Sequence, residues 1–323
     1  MASGDTLKAL CLDLATALRE DLVGELGAHR GRAHVGARDG RGDGGDVTFA
    51  IDERAELLTE TFLAEQAPDV AFYSEDRGMV NPSGEKPSWV LIVDPIDGTR
   101  PALAGFESAC VSIAAAPLLS EPTMGDVEVG CIVEIKSGAG FVAVRGAGLR
   151  PQPALSGNRE LGRMFWSYGL RGRPARETVE VLAELIDASS VGGATFDLGS
   201  ATYDMTRIAT GQLDAYVEPG PRIVAEVPGM RALFEQVGGG SVLNNSPYDL
   251  AAAVLCLEEA GAVVTDAGGE TLAERPLLGS GPDFQMSCVA AANADLHEKI
   301  CASIEAGMGR LRAATHDDSE SKA

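Results

Sequence analysis

The feature that most constrains the fold of this sequence is an acidic turn that directly follows an apolar run. Trp89–Val93 is rich in β-branched residues and is typical of a buried strand. The next six residues read Asp94-Pro-Ile-Asp-Gly-Thr99, and because proline cannot donate to a strand ladder, we expect Pro95 to stop the strand. Pro101 suits the first turn of a helix. The sequence therefore predicts a strand, a tight turn that carries two aspartates, and a helix.

The two aspartates of this turn indicate metal-assisted phosphate chemistry. Two carboxylates held this close repel each other unless a cation lies between them. Ligand sets made only of oxygen favour Mg²⁺, Mn²⁺ or Ca²⁺. If Gly98 and Thr99 open a helix, their backbone N–H groups face an anion such as phosphate. The alternative is an ordinary turn, in which Asp, Pro and Gly are all common.

Composition narrows the classes of function. The chain has 323 residues, 45% of them hydrophobic, which is enough for two domains. Its net charge of −22 argues against nucleic acid and anionic membranes as partners, since both attract lysine and arginine. No apolar stretch is as long as a membrane span and the N-terminus does not resemble a signal peptide, so we expect a cytoplasmic protein. The six cysteines form no C-x-x-C pair and the four histidines lie outside every motif, which argues against zinc and against a Ser-His-Asp nucleophile.

The first part of the chain predicts an α+β domain. Leucines at 7, 10, 14, 18, 22 and 26 form a helical stripe within 5–28. A second helix is expected at 50–66, after a glycine-rich loop at 36–47. A series of strand-like runs follows, two of them joined by a hairpin turn at 136–138. Helices followed by strands predict a domain of residues 1–150 with a largely antiparallel sheet.

The second part of the chain predicts an α/β domain that spans 151–312. A segment rich in glycine and proline at 146–160 marks the boundary between the domains. Beyond it, strand-like runs alternate with helical ones, which is typical of a mainly parallel sheet. The polar residues at 313–323 predict a disordered tail.

Four further acids lie at the ends of predicted elements. Asp52 is at the start of the second helix, and Glu75 and Asp76 follow the strand that ends at Ser74. Asp249 opens a later helix, where a carboxylate is favoured by the helix N-terminus. Each acid alone suits a cap or a surface position. Together with the acidic turn they indicate a two-metal site, which needs several carboxylates from different loops.

With these residues in place, the sequence resembles the inositol monophosphatase superfamily of Mg²⁺-dependent, lithium-sensitive phosphatases over roughly residues 5–300. The hexapeptide Asp94–Thr99 matches the first motif of that family, and Tyr248–Ala253 followed by Glu259–Asp266 is similar to the second. Two shorter segments also resemble family segments: Gly199–Ala201 and Asp214–Glu218. The resemblance implies a five-layer αβαβα sandwich of the sugar-phosphatase type, a homodimer, and a phosphoric monoester hydrolase that acts on a small phosphorylated substrate.

The resemblance also implies two or three Mg²⁺ ions, with Mn²⁺ as an alternative. The ligands of the first ion would be Glu75, Asp94 and the Ile96 carbonyl. Those of the second would be Asp94, Asp97 and Asp249, with Asp94 bridging the two ions. A more loosely held third ion would be supported by Asp52 and Glu75.

Catalytic and substrate-binding roles follow from the same resemblance. Thr99 would hydrogen-bond Asp52 and orient the attacking water, so the implied catalytic residues are Asp52, Glu75 and Thr99. The phosphate would bind the backbone amides of Gly98 and Thr99. Substrate hydroxyls would contact Glu218 and the backbone of Gly199, Ser200 and Ala201.

Two departures from the family pattern leave the substrate open. The resemblance implies an asparagine two residues after the threonine, whereas Arg100 and Pro101 follow Thr99 here. Arg100 could bind a second anionic group of the substrate or remain a solvated arginine. Residues 219–247 look like an insertion, which could form a lid, rebuild the pocket, or be an inert surface excursion. Fructose-1,6-bisphosphatase and 3′-phosphoadenosine phosphatase activities are therefore alternatives. A rival from another class is a non-catalytic regulator with the same fold that binds metal or a partner protein.

Overall fold

The computed structural model describes residues 4–28, 37–41, 47–83 and 86–320. Up to residue 150 its helices and strands are α1 (Gly4–Ala28), β1 (Ala37–Arg41), β2 (Val47–Phe49), α2 (Ala50–Gln66), β3 (Val70–Ser74), β4 (Gly78–Val80), β5 (Trp89–Asp97), α3 (Thr99–Ala104), β6 (Cys110–Pro117), β7 (Val129–Glu134), β8 (Gly140–Val144) and β9 (Gly148–Arg150). From residue 151 onward they are β10 (Phe165–Tyr168), α4 (Ala175–Ser189), β11 (Ala194–Phe196), α5 (Ala201–Ala209), β12 (Ala215–Glu218), α6 (Gly220–Glu226), α7 (Met230–Val237), α8 (Pro247–Ala260), β13 (Val263–Thr265), β14 (Cys288–Ala291) and α9 (Ala294–Glu320).

The first sheet has seven strands in the order β4-β3-β5-β6-β7-β8-β9. Only the β3–β5 pair is parallel, so the prediction of a largely antiparallel sheet is confirmed. The leucine stripe of α1 packs on this sheet, since Leu7, Leu14, Leu18 and Leu22 are buried against it. The predicted helices at 5–28 and 50–66 are both present, as α1 and α2.

Two predictions in this half of the chain were wrong. Strand β5 continues through Pro95 to Asp97, because a bulge between Asp94 and Asp97 places the proline where no ladder hydrogen bond is required. Residues 37–41 of the predicted loop at 36–47 form β1, which pairs antiparallel with β2, and residues 36 and 42–46 lie outside the described ranges. Such strand pairing needs only backbone hydrogen bonds, which glycine supplies as well as other residues do.

The second sheet has five strands in the order β11-β10-β12-β14-β13. Its β10 strand is parallel to β11 and β12, whereas β14 is antiparallel to β12 and β13. The expected mainly parallel sheet is therefore a mixed one, since the chain returns to β14 in the opposite direction after the long segment that follows β13. Residues 313–320 of the predicted disordered tail belong to α9, which continues to Glu320, and residues 321–323 lie outside the described ranges. Arg312 supports this extension through ion pairs with Glu226 and Glu305.

The two sheets and the helices form the predicted five-layer αβαβα sandwich. Helices α1 and α2 cover the outer face of the first sheet, α5 and α8 pack between the sheets, and α4 and α9 cover the far side of the second sheet. The strands of the two sheets come from separate parts of the chain, 70–150 and 165–291. A division into two domains at 146–160 remains a prediction, because α8 belongs to the second part of the chain and packs on the first sheet. No helix in the described ranges combines the length and apolar character of a membrane span.

Candidate active site

The acidic turn lies at the C-terminal end of β5, where that strand pairs with β6. Asp94 is opposite Ser112 and Asp97 opposite Cys110, so β5 has one extra residue between these two pairs. The resulting bulge places both carboxylates close together. The backbone N–H of Ile96 donates to Asp94 Oδ1 at 3.0 Å and fixes that side chain.

Gly98 connects the bulge to α3, and no other residue fits there. Its φ angle is +91°, in the left-handed region. A Cβ at this position would lie 2.5 Å from the Ser108 carbonyl oxygen and 2.9 Å from the Ser200 Cβ. A Cβ on Gly199 would likewise lie 2.9 Å from Pro101 Cγ. The acidic turn and the 199–201 segment are therefore packed directly against each other.

Asp249 reaches the same place from the second part of the chain. It is the third residue of α8 and forms a capping box with Ser246, whose backbone N–H donates to Asp249 Oδ2 at 2.6 Å. One carboxylate oxygen from each of Asp94, Asp97 and Asp249 lies within 4.8 Å of the others. The structure thus brings together three of the carboxylates that the sequence predicted.

The N-terminus of α5 holds this cluster in position. Ser200 caps α5 by accepting from the Tyr203 N–H, and its hydroxyl donates to Asp97 Oδ2 at 2.8 Å. The backbone N–H of Thr202 donates to the same oxygen at 2.6 Å, and the Thr202 hydroxyl donates to the Asp249 carbonyl at 3.0 Å. Ser200 was predicted to contact substrate, and the structure gives it this supporting role as well.

Burial raises the pKa of all three carboxyls, and repulsion by neighbouring carboxylates adds to the shift for Asp94 and Asp249. The pKa of Asp94 rises well above its usual value because of burial and the charges of Asp97, Asp249 and Glu75. Burial raises the pKa of Asp97, although hydrogen bonds from Ser200 and Thr202 oppose the shift. Burial and Asp97 raise the pKa of Asp249 to about 8. Three crowded oxygen ligands of this kind fit a hard divalent cation such as Mg²⁺ or Mn²⁺.

Thr99, Asp52 and Glu75 surround the cluster. The Thr99 hydroxyl lies 3.4 Å from Asp52 Oδ1 and 3.0 Å from the Ile96 carbonyl oxygen. Glu75 lines a cavity of about 90 Å³ together with Asp97, Asp249 and the 199–201 segment. The predicted neighbours Asp52 and Thr99 are therefore in contact, and Glu75 faces the same space as two of the aspartates.

The same cavity is lined by residues that the sequence analysis did not identify. Two of them, Arg171 and Arg173, lie in the loop between β10 and α4. Both lower the pKa of Asp249, against the larger effects of burial and Asp97. A loop that leaves the carboxyl end of a strand with the sequence Arg-Gly-Arg is a signal that could have indicated a place near an anion. Asp204, Asn244 and Asn245 also line the cavity, without a recognisable sequence signal.

Among the predicted substrate-binding residues, Glu218 and Arg100 do not line this cavity. Glu218 is fully buried, ion-paired with Arg173, and accepts a hydrogen bond from the Gly220 N–H at 2.8 Å. In this structure the Glu218 carboxylate neutralises the charge of the buried Arg173 side chain and holds it in place. Arg100 is exposed in the first turn of α3.

Known proteins share this sequence pattern and this fold. The sequence matches the profile of the Inositol monophosphatase family over residues 12–308. It is 29% identical to the fructose-1,6-bisphosphatase/inositol-1-monophosphatase of Methanothermobacter thermautotrophicus over 278 residues, which are 82% of this chain and 85% of that protein. It is 26% identical to the Nus factor SuhB of Vibrio cholerae over 229 residues, 70% of this chain and 74% of that protein. The crystal structure of the extragenic suppressor protein SuhB from Bartonella henselae has the same fold, with a TM-score of 0.67, 23% identity, and coverage of 92% of this chain and 97% of the other.

Proposed function

This chain belongs to the inositol monophosphatase family, and we propose that it hydrolyses a phosphate monoester of a small polyol, sugar or nucleotide with water in a metal-dependent reaction. The observation that carries the proposal is the convergence of Asp94, Asp97 and Asp249 within 4.8 Å. A binding module would have no need of three buried carboxylates whose charges oppose one another. A phosphatase needs them to hold cations against the charge of a phosphate.

The residues around the cluster fit two or three Mg²⁺ ions. We propose that Glu75, Asp94 and the Ile96 carbonyl hold one ion and that Asp94, Asp97 and Asp249 hold another, with Asp52 and Glu75 near a third. When bound, such ions neutralise phosphate oxygens and lower the pKa of water. We expect Mn²⁺ to substitute and Li⁺ to inhibit, as the family resemblance implies.

Thr99 and Asp52 are proposed to position the attacking water. The single proton of the Thr99 hydroxyl can be donated to Asp52 Oδ1, which lies 3.4 Å away. Thr99 Oγ1 then accepts a hydrogen bond from the water and orients its lone pair. The backbone N–H groups of Gly98 and Thr99 are proposed to bind the phosphate, and Arg171 lines the cavity from the opposite sheet.

The substrate is less defined than the reaction. Similarity to a protein named as both a fructose-1,6-bisphosphatase and an inositol-1-monophosphatase supports a polyol or sugar phosphate. A 3′-phosphoadenosine phosphatase remains an alternative. We also propose, from the family resemblance, that the protein is a cytoplasmic homodimer.

The direct test is phosphate release from a panel of esters with Mg²⁺, with and without Li⁺. The panel holds inositol 1-phosphate, fructose 1,6-bisphosphate, 3′-phosphoadenosine 5′-phosphate and glucose 6-phosphate. We expect Mg²⁺-dependent turnover of at least one ester and its inhibition by Li⁺. Turnover that persists in excess chelator would contradict the metal-dependent mechanism.

The substitution Asp94→Asn separates this proposal from a non-catalytic regulator, a role that similarity to a protein named Nus factor SuhB keeps under consideration. Because Asp94 is central to the cluster, we expect kcat/KM to fall by at least about a hundredfold while the fold is retained. Asp187→Asn, at an exposed position of α4 outside the cavity at the carboxylates, is the matched control and should keep its activity. A wild-type protein that binds Mg²⁺ and releases phosphate from no ester would favour the regulator.

A further inference from the structure

A second and larger cavity lies beside the acidic site. Its volume is about 650 Å³, against about 90 Å³ for the cavity at the carboxylates. Pockets that enclose small ligands usually have volumes of about 300–1,000 Å³. One wall is formed by α6 and the start of α7, within the predicted insertion, and the other by the segment 266–287. The cavity at the carboxylates has room for a phosphate group, whereas the larger one has room for a whole ligand.

Asn244 belongs to the walls of both cavities. The Nδ2 and Oδ1 atoms of its side chain are both buried, and neither has a hydrogen-bond partner within the described part of the chain. A Cβ on Gly220 would lie 2.3 Å from this Oδ1, so the glycine is what leaves room for the amide. Buried amides normally have partners, and an amide at the junction of two cavities can obtain them from a ligand.

Gln285 provides a second unpartnered polar atom in the larger cavity. Its side chain is only 4% exposed and lines that cavity. Its Nε2 donates to the Val242 carbonyl at 2.7 Å, while Oε1 has no partner among the described residues. An acceptor held in this way suits a hydroxyl or N–H group of a ligand.

The charges of the larger cavity are mixed. Three arginines and four carboxylates line it: Arg222, Arg231, Arg275, Glu226, Asp266, Glu270 and Asp283. Because the acids outnumber the arginines, a second phosphate group is not favoured there. None of the lining side chains is aromatic, so a nucleobase would find no stacking partner. Interspersed donors and acceptors suit a neutral group with many hydroxyls.

We propose that the larger cavity is a subsite for the leaving group of the substrate, and that it takes a second sugar ring or a comparable polyhydroxylated extension. This inference rests on the proposed function, because the phosphate of the same substrate would lie at the acidic cluster. The substrate is then a phosphorylated disaccharide or a glycosylated polyol phosphate. Asn244 contacts the substrate between its two parts, and Gln285 and Arg231 contact the distal ring.

The test compares pairs of esters that share the reacting end. Trehalose 6-phosphate and maltose 6′-phosphate are each measured against glucose 6-phosphate, and sucrose 6-phosphate against fructose 6-phosphate. We expect kcat/KM to be at least about tenfold higher for one disaccharide phosphate, mainly through a lower KM. Asn244→Ala and Arg231→Ala should each lower that preference by about fivefold or more.

The variants are chosen to leave the fold intact. Asn244 makes no hydrogen bond through its side chain within the described residues, and Arg231 is more than half exposed with only long ion-pair contacts, 3.6 Å to Glu235 and 3.9 Å to Asp283. Gln236→Ala, at an exposed position of α7 outside both cavities, is the matched control and should keep the full preference. Circular dichroism and thermal melting check each variant.

Three outcomes would overturn the inference in distinguishable ways. If monosaccharide phosphates are hydrolysed at least as efficiently as every disaccharide phosphate, the subsite does not exist. If a preference is present but survives both variants, the second ring binds elsewhere. If no ester of either panel is hydrolysed with Mg²⁺ present, the proposed function fails, and this inference with it.

Discussion

At the scale of single residues, the site is defined by carboxyl groups that the fold keeps out of water. Asp94 and Asp97 are each 7% exposed, and the charges of Asp97, Asp249 and Glu75 act on Asp94. Such groups hold their protons to higher pH than usual, because ionisation is opposed by burial and by like charge. The cluster is therefore unfavourable without a cation, which is the physical reason to regard it as a binding site.

Glu56 shows the same effect outside the cluster. It is buried one helical turn after Asp52, and burial, together with the nearby Asp76, raises its pKa to about 7 against opposing contributions from Ser74 and Arg77. Because the folded protein holds this proton more tightly than the unfolded chain does, the free energy of unfolding falls as pH rises from about 4.5 to 7.

Glu56→Gln should remove that loss. We expect the free energy of unfolding of the variant, taken relative to that of wild type, to increase by roughly 1–3 kcal/mol between pH 5 and pH 8. Urea unfolding at both pH values measures this difference. Glu60→Gln, on the same helix and with a side chain that is one-third exposed, is the control and should change stability by no more than about 1 kcal/mol at either pH. An equal pH dependence in Glu56→Gln and wild type would show that Glu56 is ionised throughout.

At the scale of elements, the junction between β5 and α3 shapes the site. The bulge at Pro95 lets β5 reach Asp97, and Gly98 then turns the chain into α3. The packing of this turn on Ser108 and Ser200 joins the first sheet to the N-terminus of α5. A strand that had stopped at Pro95 would not have kept Asp97 in the ladder with β6.

Gly98→Ala tests this junction. The new Cβ would clash with the Ser108 carbonyl oxygen, so we expect a loss of about 3 kcal/mol or more in the free energy of unfolding, and loss of phosphatase activity. Gly105→Ala is the matched control, since Gly105 also has a left-handed φ, +82°, but a Cβ there meets no atom within 4 Å. It should cost only about 1–2 kcal/mol from backbone strain. Similar losses in the two variants would mean that close packing at Gly98 is unimportant.

At the scale of the whole molecule, the five layers assemble one site from distant parts of the chain. Asp94 and Asp97 come from the first sheet, and Asp249 comes from α8 between the sheets. Arg171 and Arg173 come from a loop of the second sheet. A ligand that binds all of them stabilises the packing of the layers on one another.

Mg²⁺ should therefore stabilise the folded protein in a pH-dependent way. Without a cation, the folded state retains carboxyl protons that the unfolded chain has released, because the carboxyl pKa values are raised in the folded state. The free energy of unfolding therefore falls as pH rises from about 4 towards 8, the pKa of Asp249 in the folded protein. Mg²⁺ replaces those protons, so its stabilising effect should be larger at pH 8 than at pH 5, and about 2.7 kcal/mol at a concentration of 100 Kd.

Thermal melting with and without Mg²⁺ at the two pH values measures this effect. NaCl at matched ionic strength is the control for screening, and Asp187→Asn, at an exposed position of α4, is the control variant. Asp94→Asn should lose most of the response to Mg²⁺. An equal response at pH 5 and pH 8, or in Asp94→Asn, would show that Mg²⁺ does not bind at the cluster.

The sequence by itself determined the features that depend on neighbouring residues. The strand at Trp89, the helix after Gly98, the capping of α8 at Asp249 and the leucine stripe of α1 all follow from local periodicity and turn chemistry. Family motifs added the grouping of the acids and the layered fold. These features could be predicted because each is recorded in a short stretch of chain.

Only the tertiary structure decided what depends on residues far apart in sequence. The meeting of Asp249 with Asp94 and Asp97, the pairing of Glu218 with Arg173, and the position of Asn244 between two cavities each join segments from different layers. The antiparallel direction of β14 and the passage of β5 through Pro95 depend on neighbouring strands. Local sequence cannot specify these contacts, because their free energy arises from burial and pairing across the assembled layers.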